Sequence, residues 1–565
     1  MATLLEIEQP TSTIKLAGTG DDDFSLSLNL SEDDPLFDQK KTMLEDKSLA
    51  PGAHVYFNSS STEWISSTIE ALLHKARIVH LNEAEMYFGE MSVDPPAEFY
   101  SPRNELQALN HIVSLIDISI ENYMHETTAC LQKLRDEVIK KIHEFGQKYS
   151  SSPMILEKSC DKEKDLLQWA RSNGSKCKLQ IAYIEGAGRG AVAADDLDVG
   201  EVVLEIPTSL IISEDLLYES DTFHVLEKIE GVSAETMLLL WSMKERHNRN
   251  SKYKLYFDTL PEKFYTGLSF EVGAVAALDG TFAFDELCQA KEHLRSQYDQ
   301  MFPALCTVNP GVFPPEIYTW ENYLWACELW YSNSMKVLFT DGKLKTCLVP
   351  VAGFLNHSIC PHIMNYGKVD ARTNSLKFPL ARPCRAGEEC YLSYGNLSSS
   401  HLLIFYGFVP KEPNPYDVIQ ISFSGGLESC SEDDDMSDSD GPMHMVRGTW
   451  LLKHHGIFYY GLPTPLLQYL RKVENSPLHT MILSQSTVEK ELVVLENLRS
   501  IFVMIDSRYR IDEYCWGCPS WDVQLALTCK AMERQIVSSV LHSCDEGIKM
   551  LQAEWIKFMD EDVRG

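Results

Sequence analysis

Hydrophobic residues recur at helical spacing in three long stretches of the chain. The first, residues 63–80, gathers its apolar side chains on one helical face. The second, residues 103–145, contains neither Gly nor Pro, and Ser101 and Pro102 before it form a typical helix start. This second stretch predicts one long amphipathic helix, or two in line. Packing on the rest of the chain is the favoured role, and a separate binding role is the alternative. Its apolar positions are Leu106, Leu109, Val113, Ile116, Ile120, Met124, Leu131, Leu134, Val138 and Ile142.

From about residue 165 the apolar segments become short and alternate with polar turns. This texture predicts small antiparallel sheets. The strand-like segments are residues 179–183, 190–194, 202–206, 210–212 and 376–393. Residues 214–330 are mainly helical with aromatic-rich connections, and they predict an insertion between the sheet segments.

The third helical stretch is residues 465–557, which predict a helical C-terminal domain. An acidic run of Ser, Asp and Glu at residues 431–440 precedes it and predicts a solvated loop. The Met and aromatic residues of the stretch are interpreted as core rather than as a cofactor site.

Charge narrows the choice of partners. The chain has 565 residues, 44% of them hydrophobic, and a formal net charge of -32. Such acidity repels a phosphate backbone, which argues against direct nucleic-acid binding. It favours a basic protein surface, although acidity also serves solubility. The sequence contains no apolar run of eighteen residues, so we expect no membrane span.

The N-terminus and the cysteines indicate a reducing compartment. The first fifty residues carry eleven Asp or Glu and four Lys but no Arg, which fits neither a transit peptide nor a signal peptide. Residues 1–60 are expected to be disordered and acidic, and the protein to be cytoplasmic or nuclear. The fifteen cysteines predict reduced thiols. The lone pair Cys515 and Cys518 favours a structural role over a metal site.

Residues 349–409 combine an apolar run with polar residues in an unusual way. Asn356, His357 and Ser358 follow the run, and Tyr-Gly pairs occur at Tyr394 and Tyr406. Gly permits close approach of the backbone, and Tyr offers an apolar face with one hydroxyl. Two interpretations stay open here: a narrow pocket that is polar at one point, and a buried core whose polar groups are satisfied.

The glycine-rich loop at residues 185–190 invites a dinucleotide interpretation. A strand pattern follows the loop, whereas a pyrophosphate site needs a helix there, so that interpretation fails on context. The glycines suit either a tight turn between strands or a close approach to a ligand.

Several motifs together resemble a SET-domain protein methyltransferase. The order is most similar to the branch that includes the Rubisco large-subunit lysine methyltransferase and the actin-histidine methyltransferase. The resemblance covers roughly residues 160–550 and implies an α+β fold. That fold has small SET-type sheets, a pseudoknot, a helical insertion and an all-α C-terminal domain. The motifs are Leu166-Leu167-x-Trp169 with Asn173-Gly174, the loop at 185–190, Asp196 with Gly200-Glu201 and Ile206-Pro207, Asn356-His357-Ser358, Ala386-Gly387-Glu388 and Tyr394-Gly395.

The resemblance implies a SET domain at 160–411 and a helical substrate-binding-like domain at 412–565. For the N-terminal part, which the resemblance does not cover, composition and periodicity predict a disordered acidic segment at 1–60 and a helical extension at 61–150. The protein is expected to act as a monomer on a protein substrate.

The resemblance implies the cofactor and the site residues. S-Adenosylmethionine would be held by Glu185, Gly186, Ala187, Asn356, His357 and Tyr394. Tyr394 matches the catalytic tyrosine of the family. Tyr406 and Tyr366 would line the channel for the acceptor side chain. No metal is expected.

One departure from the family pattern bears on activity. Family members often carry an Arg after the Trp-Ala step, but Trp325-Ala326 leads here to residues 329–336 without one, and Tyr331 or Asn333 occupies the region. We therefore expect a lysine methyltransferase, with histidine as another acceptor. A module that binds a protein partner without catalysis is the alternative.

Overall fold

The computed structural model divides the chain into two compact units. The first comprises residues 1–82, 100–264 and 296–395, and the second residues 83–99, 265–295 and 396–565. Residues described in the structure are 23–47, 49, 54–58, 64–89, 100–122, 125–150, 153–158, 160–422, 443–452, 455–474, 482–509 and 519–564. The first twenty-two residues, the acidic run 431–440 and the pair Cys515 and Cys518 lie outside this set.

The first unit begins with ordered structure where the sequence predicts disorder. Strands β1 (Asp23–Ser27) and β2 (His54–Asn58) pair antiparallel, with helix α1 (Phe37–Asp46) between them in sequence. The prediction of disorder over residues 1–60 is wrong for this part. Its leucines lie between acidic clusters and still bury enough apolar surface to order the segment. The buried ones are Leu26, Leu28, Leu30 and Leu44.

A block of helices follows. These are α2 (Trp64–Val79), α3 (Glu83–Gly89, in the second unit), α4 (Pro102–Asn122) and α5 (His125–Gln147). The Asn104 backbone N–H donates to the Ser101 hydroxyl at 3.1 Å, and Pro102 is the first residue of α4, so the predicted helix start is confirmed. Helices α4 and α5 pack against each other, so the prediction of one helix, or of two in line, is wrong.

The apolar faces of α4 and α5 are buried within the first unit, because Leu106, Leu134 and Ile142 have no exposed surface. Asn110 on α4 donates through Nδ2 to the carbonyl of Ala381 at 2.9 Å. Packing of these helices on the rest of the chain is thereby confirmed.

The strands of the first unit form small antiparallel sheets, as predicted, but the predicted strand segment 210–212 and residues 380–393 of the predicted segment 376–393 contain only isolated bridges. One sheet has the order β3-β5-β6, a second β10-β11-β7-β4, and a third pairs β8 with β9. The strands are β3 (Ile155–Lys158), β4 (Lys176–Cys177), β5 (Leu179–Ile184), β6 (Gly188–Ala193), β7 (Val202–Pro207), β8 (Ser334–Leu338), β9 (Leu344–Leu348), β10 (Val369–Asp370) and β11 (Ser375–Pro379). Helix α6 (Asp161–Ser172) lies between β3 and β4 in sequence, and Gly174, with a φ of 95°, follows its C-terminal end.

The predicted insertion is helical. Its helices are α7 (Phe223–Leu226), α8 (Ala234–His247), α9 (Lys254–Thr259), α10 (Val272–Ala277), α11 (Phe282–Val308) and α12 (Trp320–Asn333). Within the first unit, Trp325 donates its indole N–H to the carbonyl of Pro261 at 2.9 Å, and the Arg246 guanidinium lies 4.0 Å from the centre of its ring. The first contact joins α12 to the connection after α9, and the second joins α12 to α8.

The second unit is mostly helical but not entirely so. Its later elements are α13 (Ser399–His401), β12 (Ile419–Ser422), β13 (Met443–Val446), α14 (Thr464–Val473), α15 (Gln485–Arg508) and α16 (Trp521–Arg564). Because β12 and β13 pair antiparallel, the prediction of an all-α C-terminal domain is wrong in this detail. Among the described helices, none is long and apolar enough to cross a membrane.

A buried ion pair ties α14 to α15. Arg471 donates through Nε and Nη2 to the two carboxylate oxygens of Glu491, each at 2.7 Å. The Tyr460 hydroxyl also donates to Glu491, at 2.8 Å. Because the pair is almost fully buried, either partner left alone would be a desolvated charge.

We expect Glu491→Ala to lower the free energy of unfolding by about 3–5 kcal/mol, because the Arg471 guanidinium stays buried without its partner. Urea unfolding of the full chain, followed by circular dichroism, measures the loss. The matched control is Glu546→Ala, which removes one half of the exposed pair with Lys549 and should leave the urea midpoint unchanged. Equal midpoints for the two variants would contradict this account.

Candidate active site

The glycine-rich loop is the turn of the hairpin between β5 and β6. Gly186 and Gly188 have φ values of 72° and 74°, a conformation that other residues rarely adopt. Residues 185–188 are exposed. The turn interpretation therefore describes the structure, and the same turn leaves its backbone open to a ligand.

Gly190, two residues further along β6, permits a close approach of three segments. A Cβ at this position would lie 2.6 Å from both Glu389 Oε1 and Ile184 Cδ1, and 3.2 Å from Asn356 Nδ2. Any larger residue would push β6, the strand that follows the glycine-rich loop (the loop strand), away from Asn356 and Glu389.

Asn356 holds these segments together. Its Nδ2 donates to the carbonyl of Arg189 at 3.0 Å and to Glu389 Oε1 at 2.8 Å, and its carbonyl accepts from the Leu392 N–H at 2.8 Å. Burial raises the pKa of Glu389, whose other oxygen accepts from the Tyr391 hydroxyl at 2.8 Å. One amide thus links β6 to residues 389–392, an extended segment that pairs through isolated bridges and leads to Tyr394.

The Asn-His segment, residues 356–357, runs beside residues 389–392. Leu392 forms parallel bridges with both His357 and Ile363. The Ser358 N–H donates to the Leu392 carbonyl at 3.3 Å. Two stretches of chain that are more than thirty residues apart in sequence are therefore in direct contact.

Tyr394 is fixed against this segment by three contacts. Its N–H donates to His357 Nδ1 at 3.1 Å, its hydroxyl donates to the carbonyl of Leu355 at 2.8 Å, and its ring stacks on His357 with centroids 5.2 Å apart. The structure therefore brings Tyr394, Asn356 and His357 together. Their catalytic and binding roles remain predictions.

Two further tyrosines are predicted on the acceptor side. The Tyr366 hydroxyl donates to the carbonyl of Ser393, and its ring stacks on Phe378 at 5.8 Å. Tyr366 thus lies beside Ser393, the residue before Tyr394, and its hydroxyl is already hydrogen-bonded to the Ser393 carbonyl. Tyr406 ends a π-helical turn of the second unit, where burial raises its pKa to about 12. Its place in the channel stays a prediction.

Sequence reasoning misses Arg189, Glu389 and Tyr391. The Arg189 guanidinium lies 5.1 Å from the centre of the Phe354 ring and donates to the carbonyl of Thr259. A cation inside a glycine-rich loop was the available signal for Arg189. For Glu389, the signal was a second carboxylate directly before the apolar strand at 390–392.

Tyr331 and Asn333, the two residues considered for the region of the expected Arg, lie in the last turn of α12, which ends at Asn333. The Asn333 Nδ2 donates to the Ser332 hydroxyl at 2.8 Å, and its Oδ1 would lie 2.9 Å from a Cβ on Gly353. Asn333 is thus packed tightly against the segment that leads to Phe354. The guanidinium over Phe354 comes instead from Arg189.

Comparison with known proteins bears out the resemblance, although no family model matches the chain. A lysine N-methyltransferase of fructose-bisphosphate aldolase from Arabidopsis thaliana is 26% identical over 322 residues, which cover 54% of this chain and 63% of that protein. The actin-histidine N-methyltransferase of Gallus gallus is 23% identical over 377 residues (64% and 58%). The Rubisco large-subunit N-methyltransferase of Pisum sativum is 26% identical over 348 residues (59% and 66%). The chain spans less than two thirds of each relative.

Solved structures agree at the level of the fold. The SET domain of LSMT bound to lysine and AdoHcy has a TM-score of 0.52 at 18% identity, covering 69% of this chain and 92% of that one. Rubisco LSMT bound to sinefungin and monomethyllysine also has a TM-score of 0.52 at 18% identity, covering 72% and 98%.

The pH dependence of stability tests the contacts of His357. Burial lowers the pKa of this residue to about 4; a hydrogen bond with Leu392 opposes the shift and the charge of Arg103 adds to it. An unfolded histidine has a pKa of about 6.5. The stability that His357 contributes is therefore complete above pH 6.5 and is lost as the pH falls toward 4.

Between pH 7 and pH 5, we expect the wild type to lose about 2 kcal/mol more unfolding free energy than His357→Asn. The new side-chain oxygen can still accept from the Tyr394 N–H. Urea unfolding at both pH values is the measurement, with His224→Gln as the control for a surface histidine. Equal losses of unfolding free energy between pH 7 and pH 5 in wild type and His357→Asn would refute the lowered pKa of His357.

Taken together, the sheets, the contact between the two chain segments and the comparisons identify the fold of this chain as that of a SET domain, similar in sequence to protein methyltransferases that act on lysine or histidine.

Proposed function

We propose that this chain transfers a methyl group from S-adenosylmethionine to a side-chain nitrogen of a protein, with lysine as the acceptor. The observation that carries the proposal is the cluster of the exposed glycine-rich loop, Asn356, His357 and Tyr394. The relatives support it, because their names assign methyl transfer to lysine or histidine of proteins. Histidine is the alternative acceptor.

The loop and its neighbours fit this cofactor. The exposed backbone at Gly186 and Gly188 has no Cβ, so the methionine part can approach closely, with the Glu185 carboxylate near its ammonium group. Ala187 would contribute its backbone there. Asn356 and His357 engage protein atoms with their side chains, so they would hold the adenine end through their backbone.

Methyl transfer to lysine requires that the acceptor nitrogen lose its proton and be aligned with the methyl group. When bound, S-adenosylmethionine supplies a methyl group on a positively charged sulfur that an uncharged nitrogen can displace. A free Lys has a pKa of about 10.4, so removing its proton at pH 7 costs about 4.6 kcal/mol. A dry aromatic channel lowers that cost, and alignment of the nitrogen can supply about 7–11 kcal/mol. Tyr394 would orient the nitrogen, and Tyr406 and Tyr366 would line its channel.

The finer features of the fold follow from the same proposal. The contact between the Asn-His segment and the strand before Tyr394 would be the SET pseudoknot. The helices of residues 412–565 would dock the substrate. With a net charge of -32, the chain favours a protein substrate with a basic surface, and we propose a monomer without direct nucleic-acid contact.

A protein-binding module without catalysis is the second candidate. The observation in its favour is the absence of an Arg from residues 329–336, where family members often carry one. Isothermal calorimetry discriminates between the two. No measurable heat with S-adenosylmethionine, together with tight binding of a protein partner, would favour the module.

Tyr394→Phe should lower methyl transfer on the order of a hundredfold and change cofactor affinity little, because the ring and backbone of residue 394 remain and only the orienting hydroxyl is lost. The measurement is transfer of labelled methyl to protein, with calorimetry for affinity. Tyr298→Phe removes a hydroxyl that donates to the carbonyl of Tyr318 in the helical insertion, and serves as the matched control. Transfer by Tyr394→Phe at the rate of the control would remove Tyr394 from its role.

Gly190→Ala should weaken S-adenosylmethionine binding at least about tenfold, because its Cβ would meet Glu389 Oε1 and Ile184 at 2.6 Å and displace the loop strand. Gly311→Ala is the control, since a Cβ there meets nothing within 4 Å. Calorimetry of both variants is the measurement. Equal affinity in the two would show that the loop strand does not shape the cofactor site.

A further inference from the structure

A compact cluster of buried polar groups lies in the first unit, outside the residues that the proposed reaction uses. The sulfurs of Cys384 and Cys390 and a ring nitrogen of His362 all lie within 4.8 Å of one another. None of the three residues has exposed surface. Glu388 Oε1 lies 3.4 Å from His362 Nε2 and 3.6 Å from Arg382 Nη1.

A histidine beside two cysteines has the ligand types of a metal site, but the hydrogen bonding of this ring argues against one. His362 Nδ1 accepts from the Tyr391 N–H at 3.0 Å, so the proton of the neutral ring is on Nε2. Neither nitrogen then has a lone pair free for a metal. The Nε2 atom instead faces Glu388 Oε1 at 3.4 Å and makes no hydrogen bond of good geometry.

The two sulfurs lie within 4.8 Å of each other. The neighbouring Cys390 and, to a smaller extent, His362 lower the pKa of the Cys384 thiol, whereas burial opposes the shift. The thiolate is the reactive form of cysteine. The second thiol lies within reach of the first, as the resolving thiol of a redox pair must.

An exposed turn lies between the two cysteines in sequence. Of the five residues that separate Cys384 from Cys390, residues 385–387 are exposed and residues 388–389 are buried. The turn is held by hydrogen bonds from the Ala386 N–H to Asp196 at 2.8 Å and from the Gly387 N–H to the Ala193 carbonyl at 3.0 Å. Local opening of these few bonds would admit a small oxidant without unfolding the sheets.

We propose that Cys384 and Cys390 form a reversible disulfide, with a peroxide as the oxidant. The Cys384 thiolate attacks one peroxide oxygen, the O–O bond breaks, and hydroxide leaves with the electron pair, so that Cys384 becomes a sulfenic acid. The Cys390 sulfur then displaces that hydroxyl group, and its own proton leaves with it as water. Two sulfurs are oxidised by two electrons in total, and the peroxide is reduced. A dithiol reverses the reaction by exchange.

Hydrogen bonds connect Cys390 and its neighbour Glu389 to the residues that we assign to the cofactor. Cys390 follows Glu389, which accepts from the Asn356 amide, and the Cys390 N–H donates to the Ala191 carbonyl in β6 at 2.8 Å. A disulfide requires a sulfur–sulfur distance of about 2.05 Å, so its formation pulls on this strand. We expect oxidation to weaken cofactor binding about tenfold. This consequence rests on the proposed function, whereas the disulfide itself does not.

The test begins with peroxide treatment of the full chain, followed by non-reducing trypsin digestion and mass spectrometry. Cleavage after Arg385 separates the two cysteines, so a linked peptide pair reports the bond. We expect the Cys384–Cys390 link to appear and to be removed by dithiothreitol. Cys390→Ser should lack it, and Cys347→Ser, a buried cysteine in β9, should retain it.

Three results would overturn the pair: sulfinic acid at Cys384 without a link, no oxidation of either cysteine while the exposed Cys160 reacts, or one tightly bound metal ion per untreated chain. All three are read on the wild type, so they stand even where Cys390→Ser does not fold. Calorimetry with S-adenosylmethionine then tests the coupling. Unchanged affinity after the link forms would refute the coupling alone, and no affinity in the reduced protein would refute the proposed function alone.

Discussion

The site depends on one side-chain amide that bridges two distant stretches of chain. Asn356 Nδ2 donates both to the backbone of Arg189, in the hairpin strand after the glycine-rich loop, and to the buried carboxylate of Glu389. Such a bridge needs a neighbour without a side chain, and Gly190 provides it. This amide adds to the backbone hydrogen bonds between β6 and residues 387–390, such as that from the Cys390 N–H to the Ala191 carbonyl, and together they hold the loop that we assign to the cofactor beside the segment that leads to Tyr394. A buried carboxylate with both oxygens engaged is costly to disturb, which makes the contact stiff.

The segment that contains Asn356 also positions Tyr394. Its N–H and its ring both rest on His357, and its hydroxyl rests on the carbonyl of Leu355. The low pKa of His357 keeps the imidazole neutral and thus able to accept that N–H. In the proposed reaction the Tyr394 hydroxyl must be held in a fixed orientation. The contacts of Tyr394 with His357 and Leu355 provide that orientation and are the structural basis of the function that we propose.

Local signals in the sequence were enough for the elements that local chemistry decides. Ser101 and Pro102 mark a helix start, and the glycines at 186 and 188 mark a hairpin turn. The adjacency of Asn356 and Tyr394 came from the family resemblance, not from spacing. What escaped prediction depends on contacts between distant residues: the pairing of β1 with β2, the side-by-side packing of α4 and α5, and the Cys384–Cys390 cluster, whose five-residue spacing is longer than that of a CxxC motif.

Transfer of labelled methyl into a whole-cell extract, followed by mass spectrometry of the labelled protein, tests the central claim most directly. The account predicts a discrete labelled band that carries methyl on a lysine side-chain nitrogen, with a basic surface around the modified residue. Label on a histidine nitrogen would keep the reaction class and change the acceptor. A folded, cofactor-binding chain that labels no protein in the extract would contradict the account.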